Sequence, residues 1–185
     1  METEDELVRR SRSGDRLAFA RLVEEHQVIA RRVAVTMVGW GGDADDVVQD
    51  AFVRAFTRLD QLEEGRRFRP WLLAIVANGA RNHHRSTGRR AAVTLRVAVR
   101  PDEPAAAVGT DPAVAAEADE ARRRLAAAVA ALPERDREVV ALRYFAELTE
   151  AEAAEALGCP AGTVKSRLSR ALARLRTALA EEVPT

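Results

Sequence analysis

Thr163, Lys165, Ser166, Arg167, Ser169, Arg170 and Arg174 fall on the polar side of one amphipathic stretch, whose other side carries Val164, Leu168, Ala171, Leu172 and Leu175. Hydroxyls and basic groups presented together at helical spacing suit hydrogen bonding to the base edges and phosphates of a DNA duplex. What precedes the stretch is equally specific. Thr149-Glu150-Ala151-Glu152 has the pattern of a capping box, which starts a helix, and Gly158 ends that helix after Ala153, Ala154 and Leu157. Pro160 then restarts a helix within two residues. A helix, a glycine turn and a basic helix together predict a helix-turn-helix, whose second helix enters the major groove by its N-terminal end.

The same pattern would also fit an amphipathic hairpin with solvated arginines. Against it, the segment from Ala156 to Ala180 holds five basic residues and no acid. A second acid-free block runs from Arg66 to Arg100 and holds nine arginines. Lys165 is the only lysine, so a general preference for arginine codons explains part of this abundance, but it does not explain missing acids. The chain as a whole has 29 basic and 29 acidic residues and no net charge, which argues against indiscriminate coating of nucleic acid.

The elements that must position these blocks read as helices. Leu17, Leu22, Val23, Val28, Ile29, Val33 and Met37 mark a long helix over 15–38, with Gly14-Asp15 as break and N-cap and Gly39, Gly41 and Gly42 as its end. Asp43 is placed to cap a second helix, with Val47, Val48, Phe52, Ala55, Phe56 and Leu59 on its apolar side and acids in its first turns. A third helix is predicted from Pro70, with Trp71, Leu72, Ile75 and Val76 inward; it then turns polar through Asn78, Arg81, Asn82, His83, His84, Arg85 and Arg89. Residues 91–115 show no apolar stripe and contain Pro101, Pro104 and Pro112, the pattern of a flexible linker. Residues 116–131 read as a helix, broken at Leu132-Pro133, and Glu134 to Phe145 as another with Val139, Val140, Leu142 and Phe145 inward. The expectation is an all-α protein of two small domains, 1–90 and 116–185, joined by that linker.

Other chemistries lack a constellation. The single cysteine, Cys159, excludes an intramolecular disulfide or a cysteine-built zinc site and fits a reducing compartment; at the turn it suits a small, partly buried position better than a redox role. His83-His84 point about 100° apart on a helix, with no third ligand evident. Asp45, Asp46 and Asp50 have no base, nucleophile or phosphate loop beside them. No catalytic site, metal or cofactor is therefore expected. The N-terminus is acidic where a signal peptide would be basic, and the longest strongly apolar run, Trp71 to Ala77, is too short to span a bilayer, so the expected location is the cytoplasm.

Leu132-Pro133-Glu134-Arg135-Asp136-Arg137-Glu138-Val139, followed by Ala153, Glu155, Leu157 and Gly158 and by Gly162-Thr163-Val164-Lys165-Ser166-Arg167-Leu168, closely resembles region 4 of the extracytoplasmic-function sigma factors. Residues 43–56 resemble region 2.2 of the same family, and 68–90 resemble regions 2.3 and 2.4. The resemblance covers nearly all of the chain except the linker. It implies that the C-terminal helix-turn-helix binds the minus-thirty-five promoter element and the flap of the polymerase β subunit. It implies that Asp46, Gln49, Asp50 and Arg54 grip the clamp helices of the β′ subunit, and that Asn78, Arg81, Asn82, Arg85 and Arg89 face the minus-ten element. An anti-sigma partner is also implied. The sequence departs from the family pattern at Asn82, where Asp is usual, and at Gly79 inside the helix.

Promoter opening exposes unstacked bases, which need a basic track and a stacking platform. Residues 66–90 supply the track. Of the two nearby rings, Trp71 lies on the apolar stripe and reads as core, whereas Phe68 fits either a base-stacking or a core position. The competing reading is a free-standing helix-turn-helix regulator that dimerises or senses a signal through its N-terminal half without touching polymerase.

Overall fold

The computed structural model describes residues 2–39, 41–87 and 112–181, all organised around helices, with no strand among them. The segment expected to be a linker falls largely outside the described residues.

The first helix was not anticipated. Thr3 caps α1 (Glu4–Arg12), its hydroxyl accepting from the Glu6 amide at 3.3 Å; Glu4, Asp5 and Glu6 occupy the first turn and Arg9, Arg10 and Arg12 the last. That distribution matches the helix dipole at both ends, and it is the signal that reading the N-terminus only as a non-signal peptide overlooked. Arg12 donates across to the Leu59 carbonyl at 3.2 Å, fastening α1 onto the following helices.

Asp15 caps α2 (Arg16–Val38) as expected, accepting from the Leu17 and Ala18 amides, and Gly39 at φ 91° ends it in a conformation that an L side chain resists. α3 (Gly42–Thr57) departs from the sequence reading: its N-cap is Gly41 at φ 133°, without a side-chain bond, and Asp43 lies one residue inside the first turn. α4 (Phe68–Thr87) also begins earlier than expected, at Phe68; Pro70 sits within the first turn, where its missing N–H costs no helical bond. A short 3-10 turn, Leu59–Gln61, joins α3 to the approach of α4.

Helices α2, α3 and α4 pack on one another around Leu22, Val33, Met37, Leu72, Leu73 and Val76, all essentially inaccessible. Gly79 approaches α3 closely enough that a Cβ would meet the Val47 side chain at 3.5 Å, an ordinary contact.

The C-terminal unit begins with α5 (Pro112–Ala130), four residues ahead of the expected helix, because Pro112 fits a first helical turn instead of breaking one. α6 (Glu134–Val140) runs into a π-helical turn, Ala141–Phe145, in which the Ala146 amide reaches the Ala141 carbonyl at 3.0 Å. This extra residue per turn rotates the chain, so Phe145, expected inward, is partly exposed beside Tyr144, while Val139, Val140 and Leu142 are buried. The expected capping box opens α7 (Glu150–Leu157): the Thr149 amide donates to Glu152 Oε2 at 2.8 Å, and the Glu152 amide to Thr149 Oγ1 at 3.2 Å. The Thr149 amide and hydroxyl, both donating to Oε2, hold the Glu152 carboxyl below the ordinary range, the backbone amide contributing most. Gly158 closes α7 in the left-handed region, φ 60° and ψ 40°, and α8 (Ala161–Glu181) follows.

The two units are packed together. α4 lies against α7, α2 against the π turn, α5 and α6, and one apolar cluster runs from Leu7 and Leu72 through Val139, Leu142, Leu148 and Val164. A second, smaller cluster of Val129, Leu132, Val140, Ala171 and Leu175 belongs to the C-terminal unit alone.

Candidate nucleic-acid interfaces

On α8, burial of Val164 and Ala171 against the preceding helices turns the opposite face outward. Lys165, Ser166, Ser169 and Arg170 are exposed there, and Thr163 and Arg167 are half-buried at its margin. The capped turn therefore presents the expected polar row on one side. Arg174 differs from the rest, because its guanidinium is bound to Asp136 of α6, a residue only 4% exposed, with Arg170 approaching the same carboxylate at 3.9 Å. Arg135, Arg167, Arg170 and Arg174 line an open cleft of about 500 Å³ with Pro133, Glu134 and Asp136. Arg135 was not singled out from sequence, since only the fold brings α6 beside α8. The block from Ala156 to Ala180 is acid-free, but the acid that anchors Arg174 comes from 38 residues away.

On α4 the outcome is different. Asn78 and Asn82 are exposed, but Arg81 is turned toward the C-terminal unit, donating from Nε to Glu138 Oε1 at 2.7 Å and from Nη1 to Asn78 Oδ1 at 3.0 Å. Phe68 is a core residue: it is 1% exposed, with Phe19, His26 and Trp71 around its ring. Its place among the candidate strand-facing residues is therefore corrected. Starting α4 at Phe68 turns the ring toward α2, which a loop position did not require. Trp71 packs half-buried against the core, on the expected side. The Arg85 side chain and all of Arg89 lie outside the described residues. His83 sits 3.2 Å from Asp43, bridging α4 to the start of α3.

Asp46, Gln49, Asp50 and Arg54 are all exposed on α3, as the sequence reading required of a docking face, and Arg54 lies 3.8 Å from Asp50 one turn away. Beside them runs a mostly apolar groove of about 330 Å³ between α2 and α3, lined by Val23, Val28, Val48, Gln49 and Phe52 among others. Val28, Val53 and Phe56, with Leu17 at 77% exposed, also stay on the surface. α2 and α3 bury their inner sides against each other and against α4, and Leu17, Val28 and Phe56 stay outside those contacts, so these residues, read as core from periodicity, are corrected to surface. Sequence reasoning found the charged residues of this face and missed its apolar ones.

Beneath the site, His26 is buried with its Nε2 4.0 Å from Glu4 and its ring on Phe68. Desolvation pushes its pKa below the ordinary 6.5, outweighing the opposing pull of Glu4 and Glu25.

Residues 22–90 match the family model described as Sigma-70 region 2, and residues 122–175 the model described as Sigma-70, region 4. The chain is 34% identical over 179 residues to the RNA polymerase sigma factor NccH of Alcaligenes xylosoxydans, covering 95% of this chain and 94% of that protein. It is 33% identical to the ECF RNA polymerase sigma-E factor of Escherichia coli K12, covering 91% and 90%. Among solved structures it is similar to CnrH in complex with the cytosolic domain of CnrY, with a TM-score of 0.73, 30% identity and coverage of 98% and 100%. It is also similar to the sigma factor RpoE of Bartonella quintana in complex with the anti-sigma factor NepR, with a TM-score of 0.66, 25% identity and coverage of 88% and 99%.

Proposed function

The chain belongs to the extracytoplasmic-function group of the sigma-70 family, and from that premise we propose that it binds core RNA polymerase and directs initiation at promoters with minus-ten and minus-thirty-five elements. The observation that carries the reading is the pairing, in one chain, of an outward basic recognition helix with an acidic docking helix on a separate domain. A free-standing regulator needs the first and has no use for the second.

In this reading α8 reads the minus-thirty-five duplex: Thr163, Lys165, Ser166 and Ser169 meet base edges, Arg167 and Arg170 meet phosphates, and Arg174, expected there too, is held by Asp136 and braces the base of the helix. Asn78, Arg81, Asn82, Arg85 and Arg89 follow the opened minus-ten strand. Asp46, Gln49, Asp50 and Arg54 dock on the β′ clamp helices, with the α2–α3 groove taking apolar side chains beside them, and the helix-turn-helix domain docks on the β flap. Two weak promoter contacts joined by the connection between α4 and α5 reinforce each other through effective concentration. The polymerase supplies all catalytic groups, so the chain acts as a specificity subunit without enzymatic activity of its own. Among the described residues no helix is long and apolar enough to cross a membrane, and work at chromosomal promoters places the protein in the cytoplasm. Relatives solved with CnrY and with an anti-sigma factor support a similar inhibitory partner here.

In vitro transcription with core polymerase and a promoter library tests this. Initiation at a defined subset only when the protein is added is expected. Specific duplex binding with no core complex would overturn the reading in favour of a free-standing regulator. Asp46→Lys with Asp50→Lys should weaken core association about tenfold and leave duplex binding by α8 unchanged.

A further inference from the structure

Four arginines that approach or lie on α4 reach the C-terminal domain, Arg66 while also pairing with Glu63 of its own loop. Arg81 is held by Glu138 at 2.7 Å, and Glu138 is itself 2% exposed. Arg66 pairs with Glu155 at 2.6 Å, Arg67 approaches Glu152 at 3.9 Å, and Arg69 donates to the Ala146 carbonyl at 2.6 Å. Four arginines of the acid-free segment thus meet three carboxylates and a carbonyl, all from α6, the π turn's exit and α7. A carboxylate and a phosphate present the same acceptor geometry to a guanidinium.

We propose that Glu138 and Glu155, with Glu152 and the Ala146 carbonyl, form an internal substitute for nucleic-acid phosphate, so that the C-terminal domain and the opened promoter strand compete for the same arginines. The proposal rests on the reading of α4 and the segment before it as the strand-binding track. A buried carboxylate left without its cation is strongly unfavourable, so Glu138 ties domain docking directly to possession of Arg81. Removing Arg81 to a DNA strand therefore releases the docked face. Geometry requires the same exclusivity. Elements about 25 base pairs apart are separated by roughly 85 Å of duplex, and domains in direct contact cannot cover both. The 24 residues from 88 to 111, fully extended, reach about 80 Å. The closed arrangement is thus a masked state of the minus-ten surface, while α8 stays open to solvent.

The test uses the full-length protein free of polymerase, a labelled oligothymidylate of about 20 nucleotides and small-angle scattering. Glu138→Gln with Glu155→Gln removes two charges from the interface; Glu147→Gln with Glu150→Gln removes two charges from the same domain elsewhere. The interface pair should bind the strand about fivefold more tightly than wild type and show a larger radius of gyration, and the control pair should change neither. Equal shifts in both pairs, or none in either, would overturn the proposal. Should the buried Glu138→Gln change prevent folding, Glu155→Gln alone, at an exposed position, must still tighten binding beyond Glu150→Gln, and equality refutes the mask. A protein that initiates transcription yet shows no difference among these variants loses only the mask. One whose interface variants open and bind but which never supports initiation loses only the reading as a sigma factor.

Discussion

Helices α4 and α8 carry similar chemistry and stand in opposite surroundings. Both have an apolar face in the core and arginines with small polar residues on the other. On α8 that polar face meets solvent, and the one acid that reaches it, Asp136, holds the basal Arg174 and leaves Lys165 and Ser169 exposed. On α4 and the segment before it, the basic side meets another domain's carboxylates. The difference shows that a basic face reveals which ligands it suits but not whether it is available, because availability depends on what else in the chain carries matching acids.

Two elements of unequal support should respond unequally to substitution. The largest expected effect is on α4, which is packed from both sides: Leu72→Ala removes a fully buried side chain where α2, α3 and α4 meet and should cost about 2–5 kcal/mol, measured by urea unfolding. A cost below about 1 kcal/mol would mean that α4 is not the axis of the N-terminal domain. Next, Lys165→Ala with Arg170→Ala should lower affinity for a promoter duplex roughly tenfold and reduce the salt dependence by about one counterion, for the phosphate contact of Arg170, while leaving single-strand binding unchanged. Loss of both activities together would erase the contrast between the two helices. The slightest effect concerns His26, which is buried against Glu4, Glu25, Arg69 and Phe68. Its folded-state pKa lies below 6.5, so the unfolded chain binds the extra proton first. Stability should then be full above that value and decline as pH falls through it toward the folded-state pKa. His26→Gln should flatten this part of the melting-temperature profile; an unchanged profile would assign the slope to other groups.

Much of this was legible because it is written locally. Thr149 and Glu152 are three residues apart, Asp15 caps the amides of the next turn, and Gly158 ends α7 at a spacing any reader can count. The same reasoning went astray where two local signals competed. Asp43 looked like a cap, yet Gly41 adopts a backbone angle that starts α3 two residues earlier. Phe145 followed the helical stripe until the π turn added one residue and rotated it outward. Periodicity also marked Leu17, Val28 and Phe56 as core, because a stripe records which side chains are apolar and carries no information on how many partners are present to cover them.

What the sequence by itself determined was every helix but α1, the helix-turn-helix with its basic face, and two acid-free blocks balanced by acids elsewhere. Capping, glycine conformation and side-chain periodicity are interactions within a few residues, so the order of letters is enough to fix them. Only the tertiary structure decided that Phe68 is core, that Asp136 anchors Arg174, and that Glu138 lies buried against Arg81 57 residues away. The physical reason is that a charge pairs with whatever the fold places within a few ångströms, and no spacing along the chain encodes that neighbour.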